Sequence, residues 1–423
     1  MQKMILNSLL TLLFSGLLTA PQAQECNKPS DPNVLAQFRI AKNGQPISLP
    51  VKFNRKEYLF HLDTGCSHTL FDISLKDKLI KAKGGAKLQT LEGPIGSSEL
   101  FDAPEAFLGP LNLKDCRKVA IIDLEPISSA LGQKYYGVIG INFLKKYVVQ
   151  MDFDKEIVSF LKPTSNKSIF SFLRPRKNNR PNWGEELPIK YKSDNQTPHI
   201  KANVNGQEVD FLIDTGYADY VDLPGRPLAD DTGKLETKIF KKACGKTQFE
   251  RKQTIQITAH GKAVVSQKNG VVARFSIGSL EYKDAVFTEN SYSALGLAFL
   301  SRHLVTFDFP NGKMYLKKGK YFDRPGDTYL SFKNFNFVLQ RSHNNIFVSS
   351  IDPNGLAYEK GIRQNDIIVK IDGQDVTSYS LIEIFILVSQ PDRENLTITI
   401  KRGDEIKEAF FVLKKAINHK QWN

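Results

Sequence analysis

The stretch FHLDTGCSHTLFD, residues 60–72, sets an acid inside an apolar run. Phe60 to Leu62 read as the end of a buried strand. Asp63, Thr64 and Gly65 follow, and Leu70 and Phe71 resume the apolar pattern. A buried, unpaired carboxylate is costly, so Asp63 needs a partner or a task. Gly65 lets the chain turn tightly or lets a second backbone come close.

A second stretch repeats the first. FLIDTGYADYVDLP, residues 211–224, again runs apolar strand, Asp214-Thr215-Gly216, apolar strand. Upstream, VKFNRKEYLFHLDTG from Val51 aligns with ANVNGQEVDFLIDTG from Ala202, each reading as two short strands joined by an Asn-containing turn. Downstream, GVIGINFLKKYVVQMDF from Gly137 aligns with SALGLAFLSRHLVTFDF from Ser293. Each half therefore carries the same order: hairpin, DTG, long β region, two apolar residues and a glycine, short helix, closing hairpin. This is an internal duplication of two β-rich lobes. A third copy, Asp231-Thr232-Gly233, has no apolar strand before it and reads as a loop.

Two lobes related by an approximate two-fold axis would bring Asp63 and Asp214 face to face. Two carboxyls in one cleft share a proton, because both cannot ionise cheaply. One can then accept a proton from water while the other donates to a substrate carbonyl oxygen. Such chemistry needs no nucleophilic serine or cysteine, and neither a metal nor a cofactor is expected. Thr64 and Thr215 would fix the turns by hydrogen bonds across the pair, and Gly65 and Gly216 would allow close approach.

Residues 34–320 resemble the pepsin and retropepsin group of aspartic peptidases, through FHLDTGCS, FLIDTGYA, YYGVIGINFL and SALGLAFLSRHLVTFDF. The resemblance implies a mainly β fold of two pseudo-symmetric lobes and hydrolysis of peptide bonds by a water held between Asp63 and Asp214. It assigns Val138-Ile139-Gly140 and Ala294-Leu295-Gly296 to segments threaded behind each DTG. It also implies a substrate flap at residues 88–102, with Gly93, Ile95 and Gly96 at its tip. Two positions depart from the family. Ser, Thr or Ala is usual after DTG, and here stand Cys66 and Tyr217. A tyrosine there could shift the pKa, narrow the cleft or disable Asp214, and Asp219 adds a nearby negative charge.

Residues 328–415 differ in character. IFVSSIDPNGLAYEKGIRQNDIIVKIDGQDV, an apolar pattern at helical spacing from Ser378 to Ser389, and the strands LTITIKRG and EAFFVLKK resemble a small α+β PDZ domain. The resemblance implies binding of extended peptides by strand addition. Its carboxylate-binding loop would fall at residues 333–338, with Phe335, Asn336 and Phe337 as peptide-binding residues. The usual glycine is absent there, and Asn tolerates a left-handed backbone.

The 423 residues are 41% hydrophobic and 24% charged, an ordinary globular balance with room for several domains. Lys3, the apolar run from Ile5 to Leu18, and Ala20 and Ala23 read as a signal peptide over residues 1–23. Lobes over 30–162 and 183–320 are expected, joined by a Pro-, Asn- and base-rich linker at 163–182. Export, to a bacterial periplasm or beyond, permits disulfides, and Cys26, Cys66, Cys116 and Cys244 would allow one or two bridges in pairings left open. The net charge of +13 comes with no nucleic-acid motif and reads as a solvated surface. Cys244-Gly245-Lys246-Thr247 mimics the end of a phosphate-binding loop, but Phe240 stands where its first Gly belongs. The expectation is an exported, monomeric endopeptidase acting on polypeptides. It has no membrane span after signal cleavage and binds no nucleic acid, and its PDZ domain takes a peptide ligand or regulates. The alternative is an inactive peptide-binding scaffold.

Overall fold

The computed structural model describes residues 31–41, 46–90, 93–131, 133–163, 182–192, 196–225, 239–246, 248–258, 261–323, 337–342, 345–379, 381–388 and 393–412. The expected signal peptide, nearly all of the linker, the third DTG and the segment 413–423 lie outside the described residues. The described fold is mainly β, with short helices between strands.

Each half begins with a tight hairpin. Ser48–Phe53 pairs antiparallel with Lys56–Leu62 across Asn54 and Arg55, both at positive φ. Pro198–Val204 pairs with Gln207–Ile213 across Asn205 and Gly206, again at positive φ. Such turns match the right-handed twist of paired strands and favour residues that tolerate positive φ, as the asparagine common to both turns does. In Lys56–Leu62 burial alternates to the end of the strand, at Tyr58, Phe60 and Leu62, whereas Gln207–Ile213 alternates only as far as Phe211, Leu212 and Ile213, all of which are buried.

A short apolar strand is inserted beside each DTG turn. Gly137–Ile139 runs parallel to Lys56–Leu62 and antiparallel to Leu70–Asp72. Ala294–Leu295 runs parallel to Gln207–Ile213 and antiparallel to Val221–Pro224. Each DTG turn thus spans the two strands that flank an inserted third. These strands belong to a nine-stranded sheet in the first half and an eight-stranded sheet in the second.

A six-stranded sheet joins the halves, in the order Val34–Arg39, Ile157–Leu161, Val148–Asp152, His303–Asp308, Lys313–Lys318, Glu185–Pro188. At its centre Gln150 lies opposite Thr306 and donates from Nε2 to Oγ1 at 2.8 Å. These two residues are equivalent in the sequence repeat, being 156 positions apart like Gly140 and Gly296. An approximate two-fold axis therefore passes between them. One apolar core runs through both halves, from Phe38, Phe60 and Phe160 to Phe211, Phe275 and Phe307.

The expected hairpin near residues 88–102 forms from Lys81–Thr90 and Gly93–Asp102, with Thr90 opposite Gly93. A longer counterpart in the second half, Gln248–Thr258 with Gly261–Ile277, was not anticipated from sequence as more than a β region. The C-terminal module has its own core, built on Phe337, Leu339, Ile346, Ile368, Ile384 and Ile398. Cys66, Cys116 and Cys244 are free thiols, so no bridge forms among the described residues, and Cys26 lies outside them. No described helix is long and apolar enough to cross a membrane.

Candidate active site

The backbone at each DTG is fixed by the inserted strand. The Asp63 N–H donates to the Ile139 carbonyl and the Asp214 N–H to the Leu295 carbonyl, both at 3.0 Å. Four buried hydrogen bonds then tie the turns together. The Thr64 N–H donates to Thr215 Oγ1 at 2.9 Å, and the Thr215 N–H donates to Thr64 Oγ1 at 3.0 Å. The Thr64 hydroxyl donates to the Ile213 carbonyl at 2.6 Å, and the Thr215 hydroxyl to the Leu62 carbonyl at 3.1 Å. The set is reciprocal, so only threonine or serine, as donor and acceptor at once, can supply it.

This lock brings Asp63 and Asp214 together. A methyl group at Gly65 would lie 2.6 Å from the Asp214 carboxyl, and one at Gly216 would lie 2.5 Å from that of Asp63. Both glycines are therefore required by close approach. Each also donates its N–H to its own aspartate, Gly65 to Asp63 Oδ1 at 2.7 Å and Gly216 to Asp214 Oδ1 at 2.8 Å. Burial, then the Asp63 charge, then a hydrogen bond to the Asp63 carboxyl hold the Asp214 carboxyl protonated well above the usual range. The N–H groups of Gly216 and Tyr217 oppose this without overcoming it. The arrangement can hold one proton between two acids.

The residues after the DTG turns do not obstruct the pair. The Tyr217 ring turns back under its loop and packs on Gly296. Its hydroxyl engages Asp222 Oδ1 at 2.8 Å and Asp219 Oδ2 at 3.1 Å. Asp222, fully buried, also accepts from Asn290 Nδ2 at 2.6 Å. Asp219 is thus engaged with the tyrosine. The Cys66 thiol donates to the His68 carbonyl at 3.0 Å, and burial with the charge of Asp63 raises its pKa.

Sequence reasoning missed His61. Strand alternation puts it on the same face as Asp63, two positions later. Its Nδ1 lies 3.1 Å from the Ile47 carbonyl, which can only accept, so Nδ1 carries the proton. The ring meets Tyr135 edge-on, and the Tyr135 hydroxyl bonds Ser48 Oγ at 3.0 Å. Burial lowers the His61 pKa, against the pull of Asp63. The signal was available in the two-residue period of the strand.

Gly93, Ile95 and Gly96 lie on the second strand of the first hairpin, where Gly96 pairs with Leu88. Phe335 and Asn336 lie outside the described residues. Phe337 is fully buried in the C-terminal module's core, so it can offer a peptide its backbone and not its ring. Among the described residues no group of three or more His, Cys, Asp or Glu side chains is gathered as a metal would need.

Comparison with known proteins defines the C-terminal module first. Residues 347–402 match the PDZ domain family, whose members bind peptide ligands, so the chain carries a PDZ domain there. No curated protein matches the chain.

Proposed function

We propose that the chain is an aspartic-type endopeptidase with an appended PDZ domain. The observation that carries this reading is the reciprocal Thr64–Thr215 lock, which holds the Asp63 and Asp214 carboxyls against each other, an arrangement that favours one shared proton. Asp214 holds the proton and Asp63 is then the carboxylate. A water lying against both gives a proton to Asp63 as its oxygen attacks the peptide carbonyl carbon. Asp214 gives its proton to the carbonyl oxygen. The tetrahedral diol collapses as the C–N bond breaks, the leaving nitrogen takes the proton from Asp63, and a hydroxyl proton returns to Asp214. No covalent enzyme intermediate forms. The first hairpin, with Gly93, Ile95 and Gly96, serves as a flap over the substrate. The N-terminal sequence supports action in a bacterial periplasm or outside the cell.

The test is cleavage of a diverse peptide mixture across acidic to neutral pH. Asp63→Asn and Asp214→Asn should each reduce kcat/KM by at least about a thousandfold, since each carboxyl needs the other. Cleavage that survives either change in a preparation free of other proteases removes the mechanism. Peptide binding without turnover in the unaltered chain would favour a non-catalytic scaffold instead.

A further inference from the structure

The PDZ domain is not tethered away from the two halves. Its outermost strand, Phe337–Ser342, pairs on one side only, with Asn345–Ile351. It also comes within 8 Å of Gln248–Thr258, an outermost strand of the second half's sheet. Phe337 and Leu339 enter the domain's core, and Val338, which lies at a register shift in the pairing and outside that core cluster, is also fully buried. The domain's second helix, Leu381–Val388, meets helix Glu125–Leu131 of the first half. There Ile386 packs on a cluster of Leu70, Leu124, Leu131 and Val138, with Cys66 and Ile127 at its margin.

These two elements, strand and helix, are the walls between which a PDZ domain takes an added strand. An inserted strand needs about 4.8 Å on each side, so two strands flanking it stand about 9.6 Å apart. The approach of Phe337–Ser342 to Gln248–Thr258 is closer than that. We propose that the PDZ domain is latched to the body by the walls of its own ligand groove, and that an extended peptide enters only by undocking it. Binding and docking then oppose each other by linkage, whichever comes first.

The latch bears on elements that border the candidate cleft. Gln248–Thr258 is half of the second hairpin, which reaches across to helix Glu125–Leu131. That helix shares its cluster with Leu70, Val138 and Cys66, which surround the first DTG. Undocking frees the hairpin and loosens that shell. The peptide is thus an activator, a consequence that rests on the endopeptidase reading; the latch itself does not.

The test uses the full chain with Cys26→Ser, in which Cys66 is the half-exposed thiol and Cys116 and Cys244 are buried. Ile386→Asp weakens the contact from the PDZ side, and Ile127→Asp weakens it from the other without touching the PDZ domain. Both should raise the alkylation rate of Cys66 about tenfold, an ordinary size for coupling between sites. Both should also bind a mixture of random nonapeptides about tenfold more tightly than the parent, with the thermal transition of each confirming a folded chain. Unchanged alkylation and unchanged peptide affinity in both folded variants overturn the latch. If both readouts move but no form cleaves protein, the endopeptidase reading fails and the latch stands. If the parent cleaves and neither variant moves any readout, the latch alone fails.

Discussion

The two DTG turns share a backbone and differ in what lies behind it. In both, the aspartate N–H meets the inserted strand, the glycine N–H meets its own carboxyl, and the threonines exchange hydrogen bonds. Behind the first turn stand Cys66 and Leu70; at the equivalent strand positions of the second stand Tyr217 and Asp222. Asp63 is half-buried, whereas Asp214 is buried. The shared features are those that bring two acids into contact, and they admit few residue types. The divergent features sit one layer deeper, where an apolar pair and a hydrogen-bonded polar trio fill the space equally well. The comparison teaches that symmetry is imposed at the contact itself, while the layer behind it is left to diverge.

The sharpest way to break the symmetric part is to add one carbon. Gly65→Ala and Gly216→Ala each drive a methyl group into the opposite carboxyl. Each should reduce kcat/KM by at least about a thousandfold, because misplacing reacting groups by about 1 Å already costs a hundredfold. The two losses should be similar, since the two clashes are. A full kinetic profile on the same peptide mixture checks this, and near-normal turnover in either variant would mean that the carboxyls do not meet. The asymmetric part is tested by a double-mutant cycle. Tyr217→Phe withdraws a donor from the buried Asp222, and Asp222→Leu installs the residue type found at Leu70. Each alone should destabilise by about 1–3 kcal/mol, as loss of a buried hydrogen bond to a carboxylate does. Together they should cost less than the sum by about 1 kcal/mol or more. Denaturant unfolding of the four proteins measures the coupling, and strict additivity would mean the trio is not a unit.

Much of this was legible in the chain. The DTG repeat, its flanking hairpins and the threaded glycine segments could be aligned because they rest on local turn chemistry and strand alternation. The PDZ domain was legible for the same reason, in the Asp372-Gly373 turn and the apolar pattern around it. What escaped depends on contacts distant in sequence. The orientation of Tyr217 is set by Asp222 and Asn290, of which the latter lies far along the chain. Nothing local indicates that a tyrosine after DTG turns away from the acids. The second hairpin, Gln248–Thr258 with Gly261–Ile277, has Gly261 after its turn but lacks the Gly-Pro pair that made the first one visible. The fit of Ile386 to a cluster in the first half joins two domains, and no periodicity within one helix reports it.

The smallest expected effect separates the two acids without any substrate. The folded state raises the Asp214 pKa above its ordinary 3.8, so the folded chain binds that proton more tightly than the unfolded one. The sign follows from linkage: stability contributed at pH below 3.8 is lost as pH rises toward the folded value, at up to about 1.4 kcal/mol per pH unit. Asp214→Asn places a neutral group of the same shape there. Its amide oxygen can keep the N–H groups of Gly216 and Tyr217, and its NH2 can donate to Asp63. The variant should therefore match the parent near pH 4 and be more stable at pH 7, by about 1 kcal/mol or more. Thermal unfolding from pH 3.5 to 7.5 would show the parent's Tm declining relative to that of the variant across this range. A variant less stable by the same amount at every pH would mean that Asp214 does not hold the proton. The division of labour between the halves would then have to be drawn the other way.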